Sequence, residues 1–153
     1  MNNNPSNDGM HAVSSRAAAG ASANELGEQL KLLRRSMKGE ARQLTDDANA
    51  ILVRILDALD EIVDELAAAP DQRHVVERMI LDYLPTSVQT FVNLPRTFAL
   101  SSRVEGKKSA HDELIEQLGI LAKESDRIRT AVYSREVDAL SDQSRFLREK
   151  FGR

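Results

Sequence analysis

A chain of 153 residues, 41% hydrophobic and 29% charged, has the composition of one folded unit with an ordinary apolar core. Its 21 Lys and Arg against 24 Asp and Glu leave a net charge of -3, which gives no global attraction to nucleic acid or an anionic membrane, so such binding would need a local patch. The absence of cysteine removes disulfides, thiolate catalysis and cysteine-ligated zinc together, and fits a reducing, cytoplasmic compartment of bacterial type.

Residues 1–23, MNNNPSNDGMHAVSSRAAAGASA, contain no apolar run of the roughly seven to fifteen residues a secretory leader needs. No later segment approaches the roughly 18 uncharged apolar residues of a membrane span. Rich in Asn, Ser, Gly and Ala, the segment buries too little to offset its ordering entropy and is expected to be a disordered tail. His11 and Arg16 within it are read as part of a mobile terminus.

From Leu26 an apolar stripe runs through Leu30, Leu33, Met37, Ala41, Leu44, Ala48, Ile51, Ile55, Leu59, Ile62 and Leu66 in steps of three or four. These 40 residues in 11 steps average about 3.64 per step, close to a straight α-helix. The stripe predicts one long helix over residues 24–69, about 65–70 Å in length, with Asn24 as N-cap and Glu25 and Glu28 in its first turn. Gly39 weakens it by about 1 kcal/mol without breaking the phase. A competing start lies at Thr45, followed by Asp46 and Asp47, which would divide the helix near residues 39–44. The run Leu66-Ala-Ala-Ala-Pro70 ends it, because proline has no N–H to donate.

Charge along this segment is split. Residues 25–42 carry Lys31, Arg34, Arg35, Lys38 and Arg42 against Glu25, Glu28 and Glu40, net +2. Residues 46–65 carry Asp46, Asp47, Asp57, Asp60, Glu61, Asp64 and Glu65 against Arg54, net -6. Acidic side chains near a helix C-terminus oppose the macrodipole, so a compensating partner is expected. Two arrangements supply one: an antiparallel homodimer of long helices, or Arg145, Arg148, Lys150 and Arg153 of the last helix lying along the acidic end.

Asp71 is expected to cap a second helix, Gln72 to Leu84, with Val75, Val76, Met79, Ile80 and Tyr83 at helical spacing. A third, Pro85 to Asn93, follows a proline corner, with Val88, Phe91 and Val92 inward. Periodicity is lost from Arg96 to Lys108, a predicted loop with Ser101, Ser102 and Gly106. Ser109 and Asp112 resemble a capping box for a fourth helix, Ala110 to about Tyr133. A fifth begins near Ser134 with Val137, Leu140, Ser144, Leu147 and Phe151 on a heptad face, stopped by Gly152. No strand pattern occurs. The aromatics Tyr83, Phe91, Phe98, Tyr133, Phe146 and Phe151 all follow residue 82, which places the compact core in a C-terminal helical module, residues 70–153. The expected fold is all-α: a long N-terminal helix packed on or beside a bundle of four shorter helices, behind a disordered tail.

The segment Leu81-Asp82-Tyr83-Leu84-Pro85-Thr86-Ser87-Val88-Gln89-Thr90-Phe91-Val92-Asn93-Leu94-Pro95 resembles the helical module of the bromochloroindolyl phosphate hydrolysis (XpaC) family. The related toxic-anion resistance (TelA) proteins share its general look. Leu114 to Leu121, and Val137 to Phe151 with Arg145-Phe146-Leu147, are similar to the two helices that follow, so the likeness covers about Val75 to Phe151. It implies an all-helical bacterial protein linked to phosphate hydrolysis or tellurite-type stress, and transfers no catalytic residue. The chain departs from XpaC-type proteins in having no apolar N-terminal anchor segment.

Candidates for chemistry are few. His11, His74 and His111 have no second ligand at His-x-x-x-His spacing, so metal binding is not expected. Asp57, Asp60, Glu61 and Asp64 share a helix face, as in carboxylate-bridged bundles, but the Glu-x-x-His motif of those bundles is absent and a solvated acidic face is expected. Arg96, Arg103, Lys107 and Lys108 around Phe98 form a basic loop that offers weak anion or nucleic-acid contact. The sequence therefore predicts a non-enzymatic interaction or scaffold protein, without cofactor or metal, linked by resemblance to stress or toxic-anion resistance. Its interaction face would be Leu26, Leu30, Leu33, Met37, Leu44, Ile51, Ile55, Leu59, Ile62 and Leu66, set against its own C-terminal helices or a second copy. Phosphate-ester hydrolysis and anion or nucleic-acid binding through residues 96–108 are the alternatives.

Overall fold

The computed structural model describes residues 22–101, 106 and 108–152, all helix or short connections, with no strand among them. The expected disordered tail lies outside the described residues up to residue 21. At its end Ser22 caps helix α1, Ala23–Glu40: its hydroxyl accepts the Glu25 N–H while the Glu25 carboxylate accepts the Ser22 N–H, both at 3.3 Å. This reciprocal pair replaces the expected Asn24 cap, because Ser-x-x-Glu satisfies two orphan donors where Asn24 would satisfy one.

The long helix of residues 24–69 is not continuous. After α1 comes a single 3-10 turn, Ala41–Gln43, and Leu44 is extended (φ -102°, ψ 153°). Thr45 then caps a new helix, α2, Asp46–Ile62, with Asp46 and Asp47 in its first turn. Arg34 reaches Asp57 and Asp60 across the turn, so α1 and α2 form an antiparallel hairpin. The competing start at Thr45 is the one the chain adopts. A capped reversal lets α1 bury its stripe against neighbours in the same chain, whereas a straight helix nearly 70 Å long would leave much of it in water.

The end of α2 tightens into a 3-10 stretch, Val63–Ala68, and Pro70 opens α3, Pro70–Arg78, with Ala69 in the capping position that Asp71 was expected to hold. Proline's fixed φ and missing N–H suit the first helical residue. The expected corner at Pro85 is also absent. α3 continues through a π-helical turn, Met79–Tyr83, directly into α4, Leu84–Val92. In that turn Leu84 N–H bonds Met79 O, one residue farther back than in an α-helix. The wider turn accommodates Pro85, which cannot donate to the carbonyl four residues earlier.

Part of the expected loop is helical as well: α5, Arg96–Ser101, begins at Pro95, whose carbonyl accepts the Ala99 N–H at 2.9 Å. The fourth and fifth helices are one: α6, Ala110–Phe151, runs 42 residues, about 63 Å, from a Ser109 cap to Gly152. Ser134 does not interrupt it, since no proline occurs in this span and a lone serine costs only a few tenths of a kcal/mol inside a helix.

α2 and α6 lie side by side and run the same way, with Thr45 near His111 at one end and Glu61 near Tyr133 at the other. α4 runs opposite to α6, with Phe91 against His111 and Tyr83 near Ile120. The fully buried side chains Leu26, Leu30, Ile55, Leu59, Ile62, Leu66, Met79, Leu84, Leu118 and Ile128 form one core shared by all the long elements. The core is therefore not confined to residues 70–153.

Candidate interaction surface

The apolar stripe is consumed inside the chain. Leu26, Leu30, Leu33, Met37, Leu44, Ile55, Leu59, Ile62 and Leu66 are buried and Ile51 is half-buried. Of its two expected partners, the chain's own C-terminal helices and a second copy, the first is the one observed: the stripe packs on α3, α4, α6 and its own other half, which leaves no open face there for a second copy.

The split charge is also answered within the chain. Arg34 places one nitrogen 2.9 Å from Asp57 and also contacts Asp60. Burial works against its charge, and the hydrogen bonds and charges of the two carboxylates outweigh that, raising its pKa. Arg54 pairs with Asp126, and Arg129 lies 3.3 Å from Glu61. The expected compensation by Arg145, Arg148 and Lys150 does not occur, because α6 runs parallel to α2 and carries them past its acidic end. Arg153 lies outside the described residues. The acidic face is thus paired with guanidinium groups, and among the described residues no three His, Cys, Asp or Glu side chains gather as a metal ion requires.

Neither described member of the basic loop stands ready for an anion. Arg96 donates to the Arg42 carbonyl at 2.9 Å, and Lys108 pairs with Glu116, whose hydrogen bond and charge raise its pKa. Arg103 and Lys107 lie outside the described residues, as does His11. His74 is exposed on α3, and His111 shares a 2.8 Å hydrogen bond with Thr45 Oγ1, so it braces the α1–α2 corner.

What sequence reasoning placed inside the bundle, the structure leaves in water. Val132 is the last buried residue of α6 and Tyr133 the last half-buried one; every residue from 134 to 152 is exposed. The 18 residues 134–151 project about 27 Å as an arm. One face of it carries Val137, Leu140, Leu147 and Phe151, 62%, 68%, 42% and 74% exposed, with Ser144 between. The steps of three and four that mark this face were legible; its lack of cover was not.

The base of the arm is acidic. Glu61 accepts the Tyr133 hydroxyl at 2.5 Å, and that bond, with help from Arg129, holds its carboxyl below the usual range. Glu65 has the opposite environment: Glu136 beside it, by hydrogen bond and by charge, pushes its carboxyl up. Along the arm, residues 134–142 carry Arg135 against Glu136, Asp138 and Asp142, net -2, and residues 143–151 carry Arg145, Arg148 and Lys150 against Glu149, net +2. Compared with protein-family profiles, with curated proteins and with solved structures, the chain shows no match.

Proposed function

We propose that this chain is a non-enzymatic helical interaction protein and that its docking element is the arm formed by residues 134–151. One observation carries the reading: four large apolar side chains line one face of a helix that buries nothing over its last 18 residues. Exposing such a face costs solvation free energy, at about 25 cal/mol per Å² of apolar surface, which association recovers. The bundle supplies a rigid root for it, since packing of residues 110–132 nucleates the helix and removes the entropic barrier that a free peptide of this length would meet. The setting that the resemblance of residues 81–95 implies, bacterial stress or toxic-anion resistance, belongs to the same proposal.

The test is cross-linking in cells of the source organism with a photoreactive residue in place of Ala139, beside the apolar face. Adducts are expected from the otherwise native chain and are expected to vanish when Leu140→Asp and Leu147→Asp are added. Because both leucines are exposed, the double variant should keep its helix content and melting temperature. A native chain that yields no adduct overturns the reading.

A further inference from the structure

We infer that the arm's partner is a second copy of this chain, bound antiparallel, so that the basic tip of each arm lies at the acidic base of the other. The inference rests on the reading of the arm as a docking element and adds to it the identity and direction of the partner.

Charge sets the direction. Side by side in parallel, two arms would place net -2 against net -2 at the base and net +2 against net +2 at the tip. Reversing one arm sets each basic half against an acidic half at both ends. The acidic end is also reinforced by Glu65 of the 3-10 extension Val63–Ala68, which lines the same small hollow as Glu136 at the root of the arm, so two carboxylates there stand to gain from an incoming ammonium or guanidinium group.

The heptad geometry gives the register. With Val137, Ser144 and Phe151 in one set of core positions and Leu140 and Leu147 in the other, an antiparallel pair alternates the two sets across the seam. Val137 then meets the partner's Leu147, and Leu140 packs over the partner's Ser144, whose small side chain leaves room for it. In this register Glu136 flanks the partner's Lys150 on the side of the seam nearest Glu65. Arm length agrees independently. The partner's Phe151 comes level with Tyr133, where the bundle begins, so a longer overlap would drive the tip into the partner's bundle and a shorter one would leave apolar residues uncovered.

The test uses the full chain, which has no native cysteine. Sedimentation equilibrium is expected to show a dimer, weakened about 100-fold or more by Leu140→Asp with Leu147→Asp, because each carboxylate would be buried in an apolar seam. Orientation is read by disulfide formation between like copies. In the antiparallel register Ser141 faces the partner's Ser141 across the two-fold axis, so Ser141→Cys links rapidly. Val137→Cys does not, since the two copies lie about 15 Å apart along the axis. Rapid linking of Val137→Cys in place of Ser141→Cys overturns the antiparallel arrangement. A native chain that is monomeric at its highest soluble concentration overturns self-association. If such a monomer still gives arm-dependent adducts in cells, the docking arm stands and only the second copy fails; if it gives none, both fall.

Discussion

Removing the Thr45 hydroxyl is expected to cost about 2 kcal/mol, because one oxygen serves two elements. Thr45 Oγ1 accepts the Ala48 N–H at 3.2 Å, capping α2, and shares the 2.8 Å bond with His111 at the start of α6. Loss of a threonine cap costs about 1 kcal/mol. Loss of a half-buried side-chain bond adds about 1 kcal/mol, and His111 is left without that partner. For a chain of this size the melting temperature should fall by about 4–8 °C in Thr45→Ala, measured by circular dichroism with urea titration for the free energy. Thr45→Ser keeps the oxygen and should stay within about 0.5 kcal/mol of the native chain. A cycle with His111→Ala should return a coupling of about 1 kcal/mol. If Thr45→Ala melts with the native chain, or Thr45→Ser is as unstable as the alanine variant, the corner is held by something other than this oxygen. Other contacts at this corner include the Asn49 amide donating to Ala41 O, Arg96 donating to Arg42 O and the buried Leu44 side chain.

Leu59→Ala, at a side chain with no exposure, should cost about 2–5 kcal/mol by urea unfolding with an unchanged m-value. Arg34→Gln leaves Asp57 and Asp60 together without their cation. With Arg34 about a third exposed (30%) and the carboxylates more so, the loss should be at most about 1 kcal/mol and should shrink in high salt. Tyr133→Phe should flatten the acid limb of the stability profile. The Glu61 carboxyl lies below its unfolded pKa, chiefly through the Tyr133 bond, so its contribution is complete above the usual carboxylate range and is lost as pH falls through the depressed value. The same bond raises the Tyr133 pKa, so the phenol's contribution is complete below the ordinary tyrosine range and is lost as pH rises through the raised value, which absorbance titration reads. A variant with an unchanged acid limb would show that the bond does not form in solution.

Which residues lie in the core was legible from periodicity; where the chain turns was not. The stripe from Leu26 to Leu66 keeps its phase through Leu44, yet the axis reverses there. Periodicity records that residues share an apolar environment, and both limbs of a hairpin face the same core. The local chemistry was the better guide, since Thr45-Asp46-Asp47 is a helix start in its own right. Pro85 misled in the opposite sense. A proline reads as a stop, but here a π-turn absorbs it, and the buried Val76, Met79, Ile80 and Leu84 anchor both sides of that turn in the core.

The arm shows why its heptad could be read from the sequence while its exposure could not. Burial depends on the length of the other elements. α2 has 17 residues and its 3-10 extension six, and the continuous element 70–92 comprises segments of nine, five and nine; each therefore spans 23 residues. The part of α6 that reaches its last buried side chain, residues 110–132, also spans 23. Beyond that height no segment of the described chain remains to cover α6, however apolar its face. The apolar spacing there also shifts from about 3.6 residues toward 3.5, the period of a two-helix seam, so the same residues that outlast the bundle carry the pattern suited to pairing with another helix.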